Sequence, residues 1–138
     1  AQMGLNKGGF YSFTWLENIF GCKLHNADRL YPEWQNPQPG DYEPVCASAA
    51  KSDMSGWTII EVVPNKALVY RSSTDSSWMM GFYIDSVSEN SSRLITRMRY
   101  ITPNPFWQYI VDKVWMEWAH CVMQRGSLLG IKKRAEKN

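Results

Sequence analysis

Between Asn104 and Glu136 the chain carries the pattern that most limits how it can fold. Trp107, Ile110, Val111, Val114, Trp118, Cys121, Val122, Leu128 and Leu129 recur at steps of three and four. At about 100° per residue they fall in one stripe of a helix. Asp112, Lys113, Glu117, His120 and Gln124 fall on the other side. Asn104 suits the N-cap, and Pro105 suits the first helical position, where no N–H is needed. One helix over this span would be about 50 Å long at about 1.5 Å per residue. A stripe so bulky requires a broad apolar partner surface, and the rest of the chain is expected to supply it. Gly126 and Gly130 are the positions that leave open whether the helix continues, bends or breaks, and Met123 and Met116 lie on its far side, where they would need cover.

That surface is a set of strands. Segments Tyr42–Ser48, Trp57–Val63, Lys66–Ser73, Trp78–Asp85 and Arg93–Ile101 read as strands, with Pro64-Asn65, Asp75-Ser76 and Glu89-Asn90-Ser91 as turns. Connections this short make neighbouring strands antiparallel. Trp78, Met80, Phe82 and Ile84 alternate onto one face, as do Leu94, Thr96, Met98 and Tyr100, opposite Arg93, Arg97 and Arg99. The fold class expected is α+β, an antiparallel sheet packed on a long C-terminal helix. Before the strands, Ser12 can cap a short helix from Phe13 to Phe20, with Phe13, Leu16, Ile19 and Phe20 on a buried face and Gly21 as its stop. Residues 30–41, rich in proline, form an extended loop.

Composition narrows the function classes. The 138 residues suit one domain spanning 1–138. A net charge of +2 is too small to point to nucleic acid, and the basic cluster from Lys132 to Lys137 suits a helix C-terminus. The three cysteines, Cys22, Cys46 and Cys121, are odd in number and widely spaced, so reduced thiols and a cytoplasmic setting are expected. No run approaches the roughly 18 apolar residues of a membrane span, and no leader sequence is expected. Aromatic residues reach 14%, which suits either a dense core or a ligand cavity.

Several stretches, in order, carry a family resemblance. They are Gln2-Met3-Gly4, Gly8-Gly9-Phe10-Tyr11-Ser12, Trp15-Leu16-Glu17-Asn18, Ala27-Asp28-Arg29, Pro32-Glu33-Trp34-Gln35 and Pro39-Gly40-Asp41. Later come Ser77-Trp78, Ser92 to Arg99, Met123-Gln124-Arg125 and Leu129 to Glu136. Together they resemble the START-like (SRPBCC, polyketide cyclase and Bet v 1-like) superfamily over nearly the whole chain. The resemblance implies a helix-grip fold with an apolar ligand between the sheet and the last helix. It also implies that the family's first strand and helix are missing ahead of Gln2. Two open sheet edges would follow, and with them a homodimer or a swapped assembly.

The residues that would line such a cavity are Trp57, Tyr70, Trp78, Met80, Phe82, Met98, Tyr100, Trp118, Val122 and Arg125. Arg125 stands mid-stripe. It reads either as an anchor for an anionic or carbonyl group, or as half of a salt bridge to Glu61 or Asp41, because a buried charge needs a partner. Glu61 reads as an inward general base or as an outward partner of Arg71, Arg97 or Arg99. Glu117-x-x-His120 and Cys22-x-x-His25 are each half of a metal pattern, so no metal and no cofactor is expected. Gly4-x-x-x-Gly8-Gly9 lacks the ending of a phosphate loop and reads as a turn. The leading expectation is a non-enzymatic binder of a hydrophobic, lipid- or polyketide-like molecule. The alternatives are a cyclase or dehydratase using Arg125, Tyr100 or Glu61 on a carbonyl, and a structural protein whose side chains fill the cavity.

Overall fold

The computed structural model describes residues 1–19, 21–46, 56–101, 106–111, 113–114 and 117–136. Helix α1 (Thr14–Ile19) and a single 3-10 turn (Pro32–Trp34) precede five strands. These are β1 (Tyr42–Pro44), β2 (Gly56–Val63), β3 (Ala67–Ser72), β4 (Met79–Ser88) and β5 (Ser91–Arg99), and helices α2 (Phe106–Val111) and α3 (Glu117–Ala135) follow. The strands form one antiparallel sheet in chain order, β1 to β5. With the C-terminal helix this is an α+β, helix-grip-like arrangement. Among the described residues no helix is long and apolar enough to cross a membrane.

Strand alternation sets the inner face. Met80 stands opposite Met98, Phe82 opposite Thr96 and Ile84 opposite Leu94. Tyr70 pairs with Met80 and Leu68 with Phe82, which carries the same face across the hairpin between β3 and β4. Ile59, Tyr70 and Phe82 form the buried centre, with Met3, Trp57, Val62, Leu68, Met80 and Leu94 packed around it. Arg71, Arg97 and Arg99 are exposed on the opposite face. A bulge between Ile59 and Glu61 keeps Val62 on the inner face while Glu61 turns outward. The hairpin between β4 and β5 runs longer than its periodicity indicates, to Ser88 and Ser91, because polar residues pair there as readily as apolar ones.

Three expectations are corrected. The first concerns the C-terminal helix. Asn104 and Pro105 lie outside the described residues, as does Met116, and α3 runs unbroken through Gly126 and Gly130. Its apolar stripe faces outward: Trp118 is 74% exposed, Val122 38% and Leu129 53%. The inward side carries His120, Met123, Gln124, Gly126, Ser127, Gly130, Ile131 and Arg134. On this side Gly126, Ser127 and Gly130 leave room for a close approach that large side chains would block. A Cβ on Gly130 would lie 2.3 Å from the Tyr11 carbonyl oxygen, and one on Gly126 would lie 2.9 Å from the Phe13 ring. The helix therefore rides on the backbone of the N-terminal segment, an approach that the bulky stripe cannot make. Met123, expected to need cover, is half-buried on this inward side.

The second correction is that Cys22 and Cys46 form a disulfide, with Cα atoms 4.3 Å apart. Their separation of 24 residues hid the pairing, which exists because β1 folds back beside the end of α1. Only Cys121 remains a free thiol. Third, α1 is shorter than its pattern and contributes no buried residue, and Phe20 lies outside the described residues. Ser12 spends its hydroxyl on the Glu17 carboxylate at 2.8 Å, and Gly21, at φ 78°, closes the helix with its N–H on the Asn18 carbonyl. The first strand ends at Pro44, and residues 47–55 lie outside the described residues.

Candidate functional site

The N-terminal segment is irregular, so its polar groups are satisfied by amide side chains rather than by a ladder. Buried Gln2 donates to the Tyr11 hydroxyl and to the Arg29 carbonyl, and accepts from Tyr31 N–H at 2.9 Å and Gln35 Nε2 at 2.7 Å. Asn26 accepts from Tyr11 N–H at 2.8 Å and donates to the Ser12 carbonyl at 3.1 Å. Lys7 pairs with buried Glu43, fastening this segment to β1. Burial pushes the Glu43 carboxyl above its usual range, while Lys7 pulls it back. Held in this way, the segment stands as a wall beside the inner face of the sheet.

Between that wall, the sheet and the end of α3 lies a cavity of about 500 Å³, within the size range of small-molecule sites. Val62, Leu68, Phe82, Ile84 and Leu94 form its apolar floor. Gln2, Met3 and Tyr11 form one side, and Leu30 with Gln35–Pro37 another. Ile131, Arg134 and Ala135 of α3 close it from above. Leu30 and Ile84 are exposed at its opening. A second cavity of about 120 Å³ adjoins it, because Met3 and Phe82 line both. Its polar residues are Ser12, Glu17, Gln124 and Ser127. Glu17 Oε2 and Gln124 Oε1 are buried there without a hydrogen-bond partner. Burial raises the Glu17 carboxyl above its ordinary value, against a smaller opposite effect of the Ser12 hydroxyl.

Of the residues expected to line the site, Phe82 borders both cavities, and Trp57 and Met80 border the smaller one. Tyr70 lies in the core, with its ring edge-on to Phe82 at 6.2 Å and its hydroxyl buried without a partner. Burial, with a further contribution from Glu43, drives its hydroxyl pKa upward. Met98 faces inward opposite Met80 but lines neither cavity. Trp78 stacks on Tyr100 at 5.0 Å and meets His120 at 6.0 Å, so this group packs α3 onto the sheet. Burial lowers the pKa of that histidine. Trp118, Val122 and Arg125 are exposed on the outward stripe, and Arg125 makes no ion pair with Glu61 or Asp41. Glu61 is exposed in the outer row that runs through Val69 and Gly81 to Arg97.

Apart from Phe82, the residues that enclose the larger cavity are not among those expected from the sequence to line the site. By sequence Arg134 reads as one charge of the basic cluster at the helix end. The signal pointing to it is the run His120, Gln124, Ser127, Ile131, Arg134, which repeats at steps of four and three on the inward side of the helix. Among the described residues no group of three or more His, Cys, Asp or Glu side chains is placed to hold a metal. Cys22, half of one metal pattern, is committed to the disulfide. No known protein family, no curated protein and no solved structure matches this chain.

Proposed function

We propose that this chain binds a hydrophobic small molecule, lipid- or polyketide-like, in the cavity between the sheet and the end of α3, as a START-like binder would. The observation that carries the reading is the 500 Å³ space over an apolar floor of Val62, Leu68, Phe82, Ile84 and Leu94. A protein whose side chains fill its own interior would not leave such a volume open. The cyclase or dehydratase alternative draws less support. Arg125 and Glu61 are exposed, and Tyr100 is stacked on Trp78 away from both cavities. A carbonyl-polarising site needs such groups aimed at one point. The test is titration with the uncharged fluorophore N-phenyl-1-naphthylamine, comparing the native chain with Leu94→Trp, which fills the floor. Binding that Leu94→Trp abolishes supports the reading, and absence of binding to the native chain refutes it.

Self-association is a second reading, with its own observation. Trp118, Val122 and Leu129 form an exposed apolar stripe, and a second copy of the chain would cover it. In this reading the contact lies on α3 rather than on the sheet edges, and sedimentation velocity across a concentration series tests it. The disulfide bears on location: it supports an oxidising compartment over the cytoplasm, where such bonds are rare.

A further inference from the structure

We infer that the occupant of the large cavity is an amphipathic anion, a free alkyl carboxylate whose head is read by Arg134 and Lys66 while its chain lies on the floor around Phe82. The inference rests on the binding function proposed above and specifies its ligand. Among the described residues no Asp or Glu lines this cavity, and both ionisable side chains of fixed charge that line it there, Lys66 and Arg134, are cations. The ion pairs among the described residues are Lys7–Glu43, Lys113–Glu117 and Lys132–Glu136, so neither cation is neutralised by a carboxylate.

Arg134 is held for the task. Its Nε and Nη2 donate to the Ala27 carbonyl at 3.0 and 2.7 Å, and Nη1 donates to the Gly130 carbonyl at 2.9 Å. Its guanidinium carbon sits 4.3 Å from the Tyr11 ring centroid. These contacts fix the fork while leaving one N–H on each terminal nitrogen unspent. The partners are carbonyl dipoles and a ring face, which orient the charge without cancelling it. Asp28, next to Ala27, makes no ion pair with it. Lys66 stands in the turn between β2 and β3, and its carbonyl accepts from Ile84 N–H at 2.8 Å, at the exposed edge of the floor. A partly buried cation beside an apolar surface favours a ligand that has one negative end and one apolar end.

Three probes of one chain length test the inference: decanoate, decanol and decyltrimethylammonium, each titrated by calorimetry at fixed salt. Decanoate is expected to bind about tenfold more tightly than decanol, the size of one charge-assisted contact, and the cation is expected to bind weakest. Lys66→Gln should erase part of that advantage and leave decanol unchanged. Arg134→Gln should erase more, but it also removes bonds to Ala27 and Gly130. Exposed Lys66, with only its backbone engaged in a hydrogen bond, therefore serves as the independent variant, and Lys66→Glu should invert the preference. Equal affinity for decanoate and decanol, or no effect of either Lys66 variant, overturns the anion inference while the cavity reading stands. Failure of all three probes to bind overturns the cavity reading itself.

Discussion

Replacing Gly130 with alanine tests the close approach of α3 to the backbone of the N-terminal segment. In an exposed helix interior this exchange stabilises by about 1 kcal/mol. Here the new Cβ would sit 2.3 Å from the Tyr11 carbonyl oxygen and 2.9 Å from the Tyr11 Cβ. Tyr11 cannot swing aside, because its N–H is held by Asn26 at 2.8 Å and its ring lies under the Arg134 guanidinium. Overpacking against backbone costs about 1–3 kcal/mol, and a clash this short belongs near the upper end, for a net loss of about 2 kcal/mol after the propensity gain. With about 2.1 cal/mol/K of unfolding entropy per residue, that loss lowers Tm by about 7 °C in a chain of 138 residues. Gly126→Ala is the matched control. Its Cβ would meet the Phe13 ring at 2.9 Å, but that ring is 37% exposed and free to rotate away. Its Tm should stay level or rise by up to about 3 °C. Calorimetric melts of both variants decide the matter. If Gly130→Ala melts at or above the parent, α3 does not ride on the N-terminal segment and the cavity loses its roof.

Three further outcomes follow from the same structure. Replacing Cys22 and Cys46 by serine opens a loop closed across 24 residues, which in the chain-entropy account costs about 3.5 kcal/mol and about 12 °C in Tm; a melting point unchanged by the exchange would show that the bond does not form. Glu17 has a folded pKa above its ordinary 4.5, so the folded state binds more protons than the unfolded chain between those two values. Stability from this group therefore falls as pH rises from about 4.5 through the folded pKa, and Glu17→Gln should flatten that fall and raise stability at pH 7; denaturant midpoints from pH 4 to 8 showing parallel curves would refute it. Trp118→Lys should change stability by no more than about 0.5 kcal/mol, since the ring is 74% exposed, whereas a core tryptophan would cost about 3–5 kcal/mol; its urea midpoint distinguishes the two, and loss of a dimer peak would identify the covered surface.

The strands were legible because their signal is local. Alternation along β4 and β5 assigned Phe82, Met80 and Leu94 to the inner face, and the register of the sheet carries that face across to β3. The cavity was legible only in part. Its floor follows from alternation, but its wall is built from Gln2 and Tyr11 and its roof from Arg134, each of which contacts residues distant in the chain. A periodicity of three and four says that a helix has two unlike sides. It carries no term for how closely each side can approach a partner.

The chain's own order of residues settled the antiparallel meander, the apolar inner face and the helical C-terminus, because each depends on neighbours within a few positions. Long-range folding settled the rest. It turned the glycine and serine side of α3 inward, since contact with the Tyr11 backbone leaves no room for a side chain at Gly130. It joined Cys22 to Cys46, whose meeting depends on where β1 returns. It also left Arg134 beside an apolar space with, among the described residues, carbonyls and a ring for partners, an arrangement that arises only when residues 107 positions apart in the chain come into contact.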